Sequence, residues 1–287
     1  MSTALPDFFL VGAPKAGTTS VYKYMAQNPL IFVPVVKEPN YYTNVGPDDR
    51  NVVNIKDEKR YLKLYADATP EQLKGDFSVS YMHDHDAYKK IHNDNPDAKI
   101  IMIIRHPVNR AYSHWLMDKR EGFKKDEFYD GFLNDVNYKG TRGFCFNSMY
   151  YDCGLYADAI TKYRSLFPNV LVLVYEEIFI DIQKTLHDIY SFLNIDSINS
   201  HTFSRHNESG EVKNKFLKAI YSSTGIRKAL KVLVPESKKD FLRGAIMAKT
   251  ESKISPEDFK NIAPYFKSDV IKVRELLGKP DLWANIQ

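Results

Sequence analysis

The stretch Asp7 to Gln27, DFFLVGAPKAGTTSVYKYMAQ, constrains the fold more than any other part of the chain. Its apolar run Phe8, Phe9, Leu10 and Val11 is of strand length and lacks polar alternation, the pattern of a strand covered on both faces. A loop holding Gly12 and Gly17 follows, and Thr18 to Gln27 then sets Val21, Tyr24 and Met25 on one side of a helix. The order strand, loop, helix recurs. Ala98 to Ile104 (AKIIMII) predicts a second buried strand, followed by a helix opened by Pro107, whose missing N–H is no loss in a first turn. Asn169 to Tyr175 (NVLVLVY) predicts a third strand with helical segments on both sides. Strands alternating with helices imply the α/β class, with a parallel sheet covered on both faces.

Further helices are expected at Glu58–Tyr65, His85–Asn93, Asp152–Leu166, Asp181–Leu193, Lys213–Ser222 and Pro256–Leu277. With 287 residues, 44% apolar and 26% charged, the chain can bury a sizeable core and reads as one domain. It shows no internal repeat, no apolar run near the length of a membrane span and no signal-like start, and a cytoplasmic location is the expectation. Cys145 and Cys153 cannot build a disulfide framework or a zinc site by themselves, so no metal is expected and reduced thiols are. A formal charge of +4 is too small to imply nucleic acid and suits a pocket for a polyanionic small molecule. Arg227 to Lys249 carries seven Lys or Arg against Glu236 and Asp240. That run reads either as a solvated helical face or as a basic rim for an anionic substrate or a peripheral membrane contact.

The first loop resembles a nucleoside-triphosphate loop in the separation of Gly12 and Gly17, but Thr18 stands where G-x-x-x-x-G-K-[ST] needs its lysine. The lysine lies inside the loop, at Lys15. What remains is an anion nest: Ala16, Gly17, Thr18 and Thr19 can turn backbone N–H groups toward a phosphate at the positive end of a helix. Thr18, Thr19 and Ser20 add hydroxyls, and Lys15 adds a mobile charge near the outer end of the bound group. In IIMIIRHPVNRAYSHW, residues 100 to 115, Arg105 ends a strand and Ser113 follows two helical turns later, so the pair can converge on a second anion. Arg110 either joins them or serves packing. Two anion sites at two strand ends imply a ligand with separated phosphates.

PKAGTTS and RHPVNRAYS resemble the two phosphosulfate-binding motifs of the sulfotransferases that use 3′-phosphoadenosine 5′-phosphosulfate (PAPS), in the style of the bacterial enzymes and the glycan-modifying branch. The likeness extends through VKEPNYY, GDFSVSYM, VLVYEEI and HNESGEVKN. It implies a P-loop-like parallel sheet flanked by helices, forming a single domain over 7–287. Within it the donor-binding core spans about 7–215 and a basic helical region about 216–287. It further implies that Lys15 to Ser20 bind the 5′-phosphosulfate, with Lys15 meeting charge on the leaving oxygen, and that Arg105 and Ser113 bind the 3′-phosphate. Arg205, Ser209, Gly210 and Lys213 would close over the donor.

By the same resemblance Glu38 is the base for an acceptor hydroxyl or, second, an amine of a glycan or small natural product, with Lys37 steering. Tyr42, Tyr81 and His83 would line the acceptor side, and His83 competes with Glu38 as base. Asp76 and Phe77 depart from the family pattern, where a glutamate and often a lysine stand. A P-loop nucleoside or small-molecule kinase is the alternative, weakened by the displaced lysine.

Overall fold

The computed structural model describes residues 5–44, 53–139, 148–198, 210–212, 247–249 and 253–286. Strand β1 (Phe8–Gly12) is buried along its whole length and leads through the glycine loop into α1 (Thr18–Met25). Next come β2 (Ile31–Phe32), α2 (Glu58–Lys63), β3 (Leu73–Asp76) and α3 (Ala87–Asp94). The second motif forms β4 (Lys99–Ile104) and α4 (Pro107–Glu121), with Pro107 in the first turn. Helices α5 (Phe128–Val136) and α6 (Ala157–Leu166) precede β5 (Val170–Val174), which runs into α7 (Tyr175–Ile178) and α8 (Ile182–Leu193).

The five strands form one sheet in the order β2-β3-β1-β4-β5, every pair parallel, with β1 between β3 and β4 and its register to β4 shifting between Leu10 and Gly12. A parallel sheet sends all its strand-to-helix loops to one edge, so the loops after β1, β2, β3 and β4 gather there. At the sheet's end β5 is only half-buried before Val174, whereas β1 and most of β4 are sealed on both faces. The last described helix, α9 (Pro256–Leu277), begins and ends at the residues expected from sequence. Ser255 caps its start, and it buries Ile262, Phe266, Val270 and Val273 in the common core.

Three expectations need correction. The helix expected over Asp152–Leu166 is broken: Asp152–Gly154 forms a single 3-10 turn, and α6 starts only at Ala157. Asp269 of α9 accepts the N–H groups of Tyr156 and Ala157 at 2.8 and 3.0 Å, creating a new helix start there. Helix α3 begins at Ala87 rather than His85, because Asp84 Oδ1 accepts the Asp86 and Ala87 N–H groups at 2.9 Å each. Met247–Lys249, expected in a basic helical face, is strand β7, antiparallel to β6 (Gly210–Val212). The remainder of that face, and the helix expected over Lys213–Ser222, lie outside the described residues. No helix among the described residues is long and apolar enough to cross a membrane.

Candidate active site

The loop after β1 is shaped by backbone conformation. Lys15 and Gly17 both have left-handed φ, 68° and 80°. Glycine is needed at the second for two reasons: the conformation itself, and a Tyr175 ring that would lie 2.9 Å from any Cβ placed there. The turn leaves the N–H groups of Gly17, Thr18 and Thr19 with no acceptor among the described residues, at the N-terminus of α1. Those amides, with the partial positive charge of the helix end, have the geometry that an anion nest requires. Ala16 is fully buried beneath it, and Thr18 and Ser20 are nearly so.

The Lys15 ammonium lies 3.5 Å from the Met117 thioether on α4. Burial, aided by the charges of Arg120 and Arg105 and opposed by Glu121 and Asp118, lowers its pKa to about 8. The side chain is thus a charged donor at neutral pH but a readily discharged one.

Arg105, at the end of β4, closes the other side of this loop. One guanidinium nitrogen donates to the Lys15 carbonyl at 2.9 Å, and the group lies 4.4 Å from the Tyr175 ring centroid. Its Nε is buried with no partner. The two motifs, ninety residues apart, are therefore joined directly, and the Arg105 Nε–H is left without an acceptor. Ser113 sits half-buried on α4 with no partner among the described residues, two turns beyond Arg105. Arg110, in contrast, faces inward: it is fully buried and donates to the carbonyls of Met149 and Tyr150 at 3.2 and 2.5 Å. It is turned away from Arg105 and Ser113 and bonds buried carbonyls instead.

The start of α4 is pinned from the C-terminal side. The His106 N–H donates to Glu176 at 3.0 Å, its ring meets Asn285 at 3.1 Å, and the Trp283 indole donates to the same Glu176 carboxylate at 3.3 Å. Tyr175 and Glu176 were invisible as site residues in the sequence. The signal was an aromatic–acidic pair at the end of a buried strand, which acquires meaning only when β5 is known to lie beside β4.

On the other side of β1, the loop after β2 carries Lys37 and Glu38. Their side chains are partly exposed and form an ion pair at 2.5 Å. Tyr22 of α1 donates to the Pro34 carbonyl at 3.2 Å and ties this loop to the helix of the anion nest. Tyr42 and Tyr81 do not line an open surface: both are buried, the Tyr42 hydroxyl bonds Asp94 at 2.9 Å and the Tyr81 hydroxyl bonds Asp76 at 2.9 Å. His83 Nε2 must donate to the Leu155 carbonyl, 3.1 Å away, leaving Nδ1 buried and unpartnered. Burial and the nearby Arg110 charge lower His83 to about 4, so its ring is neutral. Phe77 turns into the core, edge-on to Phe8 and Tyr22 at 5.6 and 5.0 Å. Arg205, Ser209 and Lys213 lie outside the described residues, and Gly210 opens β6. No group of metal-ligating side chains occurs among the described residues.

A parallel α/β sheet with a glycine loop after its central strand, a lysine inside that loop and an arginine from the neighbouring strand defines a P-loop-like architecture without the magnesium-triphosphate lysine. The chain belongs to the sulfotransferase domain family, whose model matches residues 5–273. It is 25% identical over 249 residues to human carbohydrate sulfotransferase 15, a match covering 67% of this chain and 44% of that one. Against the mouse bifunctional heparan sulfate N-deacetylase/N-sulfotransferase 4 it is 31% identical over 122 residues, covering 40% and 13%. The chain thus spans less than half the length of these curated relatives. Among solved structures, a sulfotransferase from Alicyclobacillus acidocaldarius superposes with a TM-score of 0.70 at 22% identity, covering 96% of each chain. A mouse sulfotransferase complexed with PAP gives 0.53 at 17% identity, covering 98% and 89%.

Proposed function

We propose that this chain transfers a sulfuryl group from PAPS to a hydroxyl of a carbohydrate acceptor. The observation that carries the reading is the junction of Lys15 and Arg105: a desolvated ammonium and a guanidinium are held on one loop by a hydrogen bond between the two motifs. A donor with phosphates at both ends of its ribose fits this junction, because the amides of Gly17 to Thr19 and the unfilled Arg105 Nε are separate sets of donors. When bound, the donor supplies the activated sulfonate.

The chain's own residues do the rest. The amides and the hydroxyls of Thr18 and Thr19 hold the 5′-phosphate, and Lys15 stabilises charge as it grows on the oxygen that leaves. Arg105 and Ser113 take the 3′-phosphate. Glu38, one side of an ion pair at a partly exposed position, receives the acceptor hydroxyl proton at its carboxylate, and Lys37 orients that carboxylate. The neutral, inward-facing His83 is poorly placed to compete with it. A carbohydrate acceptor is favoured by the names of the relatives.

The test is transfer of labelled sulfate from PAPS to a panel of sugars and desulfated glycosaminoglycans, run beside thermal shift measurements. Adenosine 3′,5′-bisphosphate should raise the melting temperature and magnesium-ATP should not. Stabilisation by magnesium-ATP alone, with no sulfate transferred, would return the chain to the kinase alternative.

A further inference from the structure

We propose that Asp76 is a positioning residue for the acceptor side, fixing through Ser78 and Tyr81 the turn at Asn40 and Tyr41 that presents Lys37 and Glu38. The inference rests on the reading of Glu38 given above. Asp76 ends β3, is fully buried, and accepts four hydrogen bonds. Oδ1 accepts from the Ser78 N–H at 3.0 Å and the Ser78 hydroxyl at 2.7 Å, and Oδ2 accepts from the Tyr61 and Tyr81 hydroxyls at 2.7 and 2.9 Å. Among the described residues no cation pairs with it.

Each hydroxyl has a single proton. Ser78 spends its proton on Asp76 and so turns a lone pair to the Asn40 N–H, 3.1 Å away. Tyr81 does the same, and its oxygen accepts the Tyr41 N–H at 3.1 Å. Two consecutive amides of the acceptor loop are thereby anchored to one carboxylate.

Asn40 is the pivot. It is fully buried with φ at 52°, a left-handed conformation that asparagine tolerates better than most residues. Its side chain donates to the Glu38 and Val53 carbonyls at 3.0 and 2.8 Å and accepts from Ser80 at 2.6 Å. The direction of the protons in this relay requires Asp76 to be acceptor-only. A protonated carboxyl, or an amide in its place, puts a donor among donors; Tyr61, which holds no loop amide, can turn its proton away, but a reversal at Ser78 or Tyr81 competes with the loop amide that oxygen holds.

Burial raises Asp76 to about 6, against the hydrogen bonds from Ser78, Tyr61 and Tyr81 that hold it down. The groups facing it are Tyr61, Tyr81, Tyr65 and Tyr42, all phenols pushed upward by burial and neutral near physiological pH. A carboxyl raised above its unfolded value binds more protons in the native state, so acidification through 6 stabilises the fold at this group. Loss of positioning and loss of stability therefore have opposite signs with pH.

The experiment compares Asp76→Asn with wild type by hydrogen exchange of the 37–44 peptide and by sulfate transfer from PAPS to chemically desulfated glycosaminoglycan. Exchange in that peptide should rise about 10-fold while peptides of β1 and β4 stay protected. Turnover should fall on the order of 10- to 100-fold with the PAPS KM within about twofold, and the acid limb near pH 6 should disappear. Should Asp76→Asn fail to fold, Tyr81→Phe removes one arm alone and should loosen the same peptide. Unchanged exchange in that peptide, or donor affinity falling in step with turnover, overturns the proposal. The exchange result stands whether or not Glu38→Gln retains activity, so a failure of the base assignment is separately visible.

Discussion

The two sides of the sheet edge hold their loops in different ways. On the donor side, between β1 and β4, the loop is set by backbone: a left-handed Lys15, a left-handed Gly17 and a carbonyl gripped by Arg105. On the acceptor side, between β2 and β3, the loop is set by side chains, in a relay of hydroxyls that ends on one buried carboxylate. Backbone amides do not titrate and are displaced only by changes in chain geometry. Side-chain relays depend on where each proton sits. The donor side should thus bind its ligand over a wide pH range, with Lys15 as a titrating part, while the acceptor side should be the first to lose order in acid.

The sharpest way to break this contrast is Lys15→Ala. Turnover should drop by at least about 10²-fold while adenosine 3′,5′-bisphosphate still raises the melting temperature, because the amides remain. Equal loss of nucleotide stabilisation would make Lys15 part of the binding scaffold and erase the distinction. Arg105→Ala comes next, since it removes both a charged donor and the hydrogen bond that closes the loop. Calorimetry should show adenosine 3′,5′-bisphosphate weakened by about 10- to 100-fold. Adenosine 5′-phosphosulfate, which lacks the 3′-phosphate, should lose far less; matching losses would mean that Arg105 acts only through the Lys15 carbonyl.

Smaller is the effect of alkali. With Lys15 lowered to about 8 by burial, kcat/KM for PAPS should decline as pH rises through that value, since the free enzyme loses its ammonium. Stability moves the other way: the native state binds fewer protons at this lysine than the unfolded chain between about 8 and the ordinary lysine value of 10.5, so its burial becomes less costly as pH rises. A flat kcat/KM profile through this range would remove Lys15 from the chemistry.

The donor side was legible in sequence because its parts are contiguous. An unbroken apolar run, two glycines and a proline-started helix announce β1, β4 and α4 without knowledge of their neighbours. The acceptor side was not. Strand β3, Leu73–Asp76, carries a lysine, a glycine and an aspartate and no apolar run. It is a strand because Lys74 meets Asp7 and because β1 and β2 pair with it on either side. Tyr42 and Tyr81 read as acceptor-lining aromatics because position in sequence says nothing about which way a ring faces; in the fold both rings are buried and their hydroxyls bond the carboxylates of Asp94 and Asp76. Asn40 gave no signal beyond its place after a proline, since a left-handed turn held by three side-chain hydrogen bonds exists only once β3 has brought Ser80 to it. Helix α9 shows the opposite case, with both ends marked locally by Ser255 and Gly278.

The most direct measurement is a crystal structure with adenosine 3′,5′-bisphosphate. The account predicts the 5′-phosphate on the amides of Gly17 to Thr19 beside Lys15, and the 3′-phosphate on Arg105 and Ser113. Nucleotide bound elsewhere, or bound here with Arg105 still turned wholly to the Lys15 carbonyl and touching no phosphate, would contradict it.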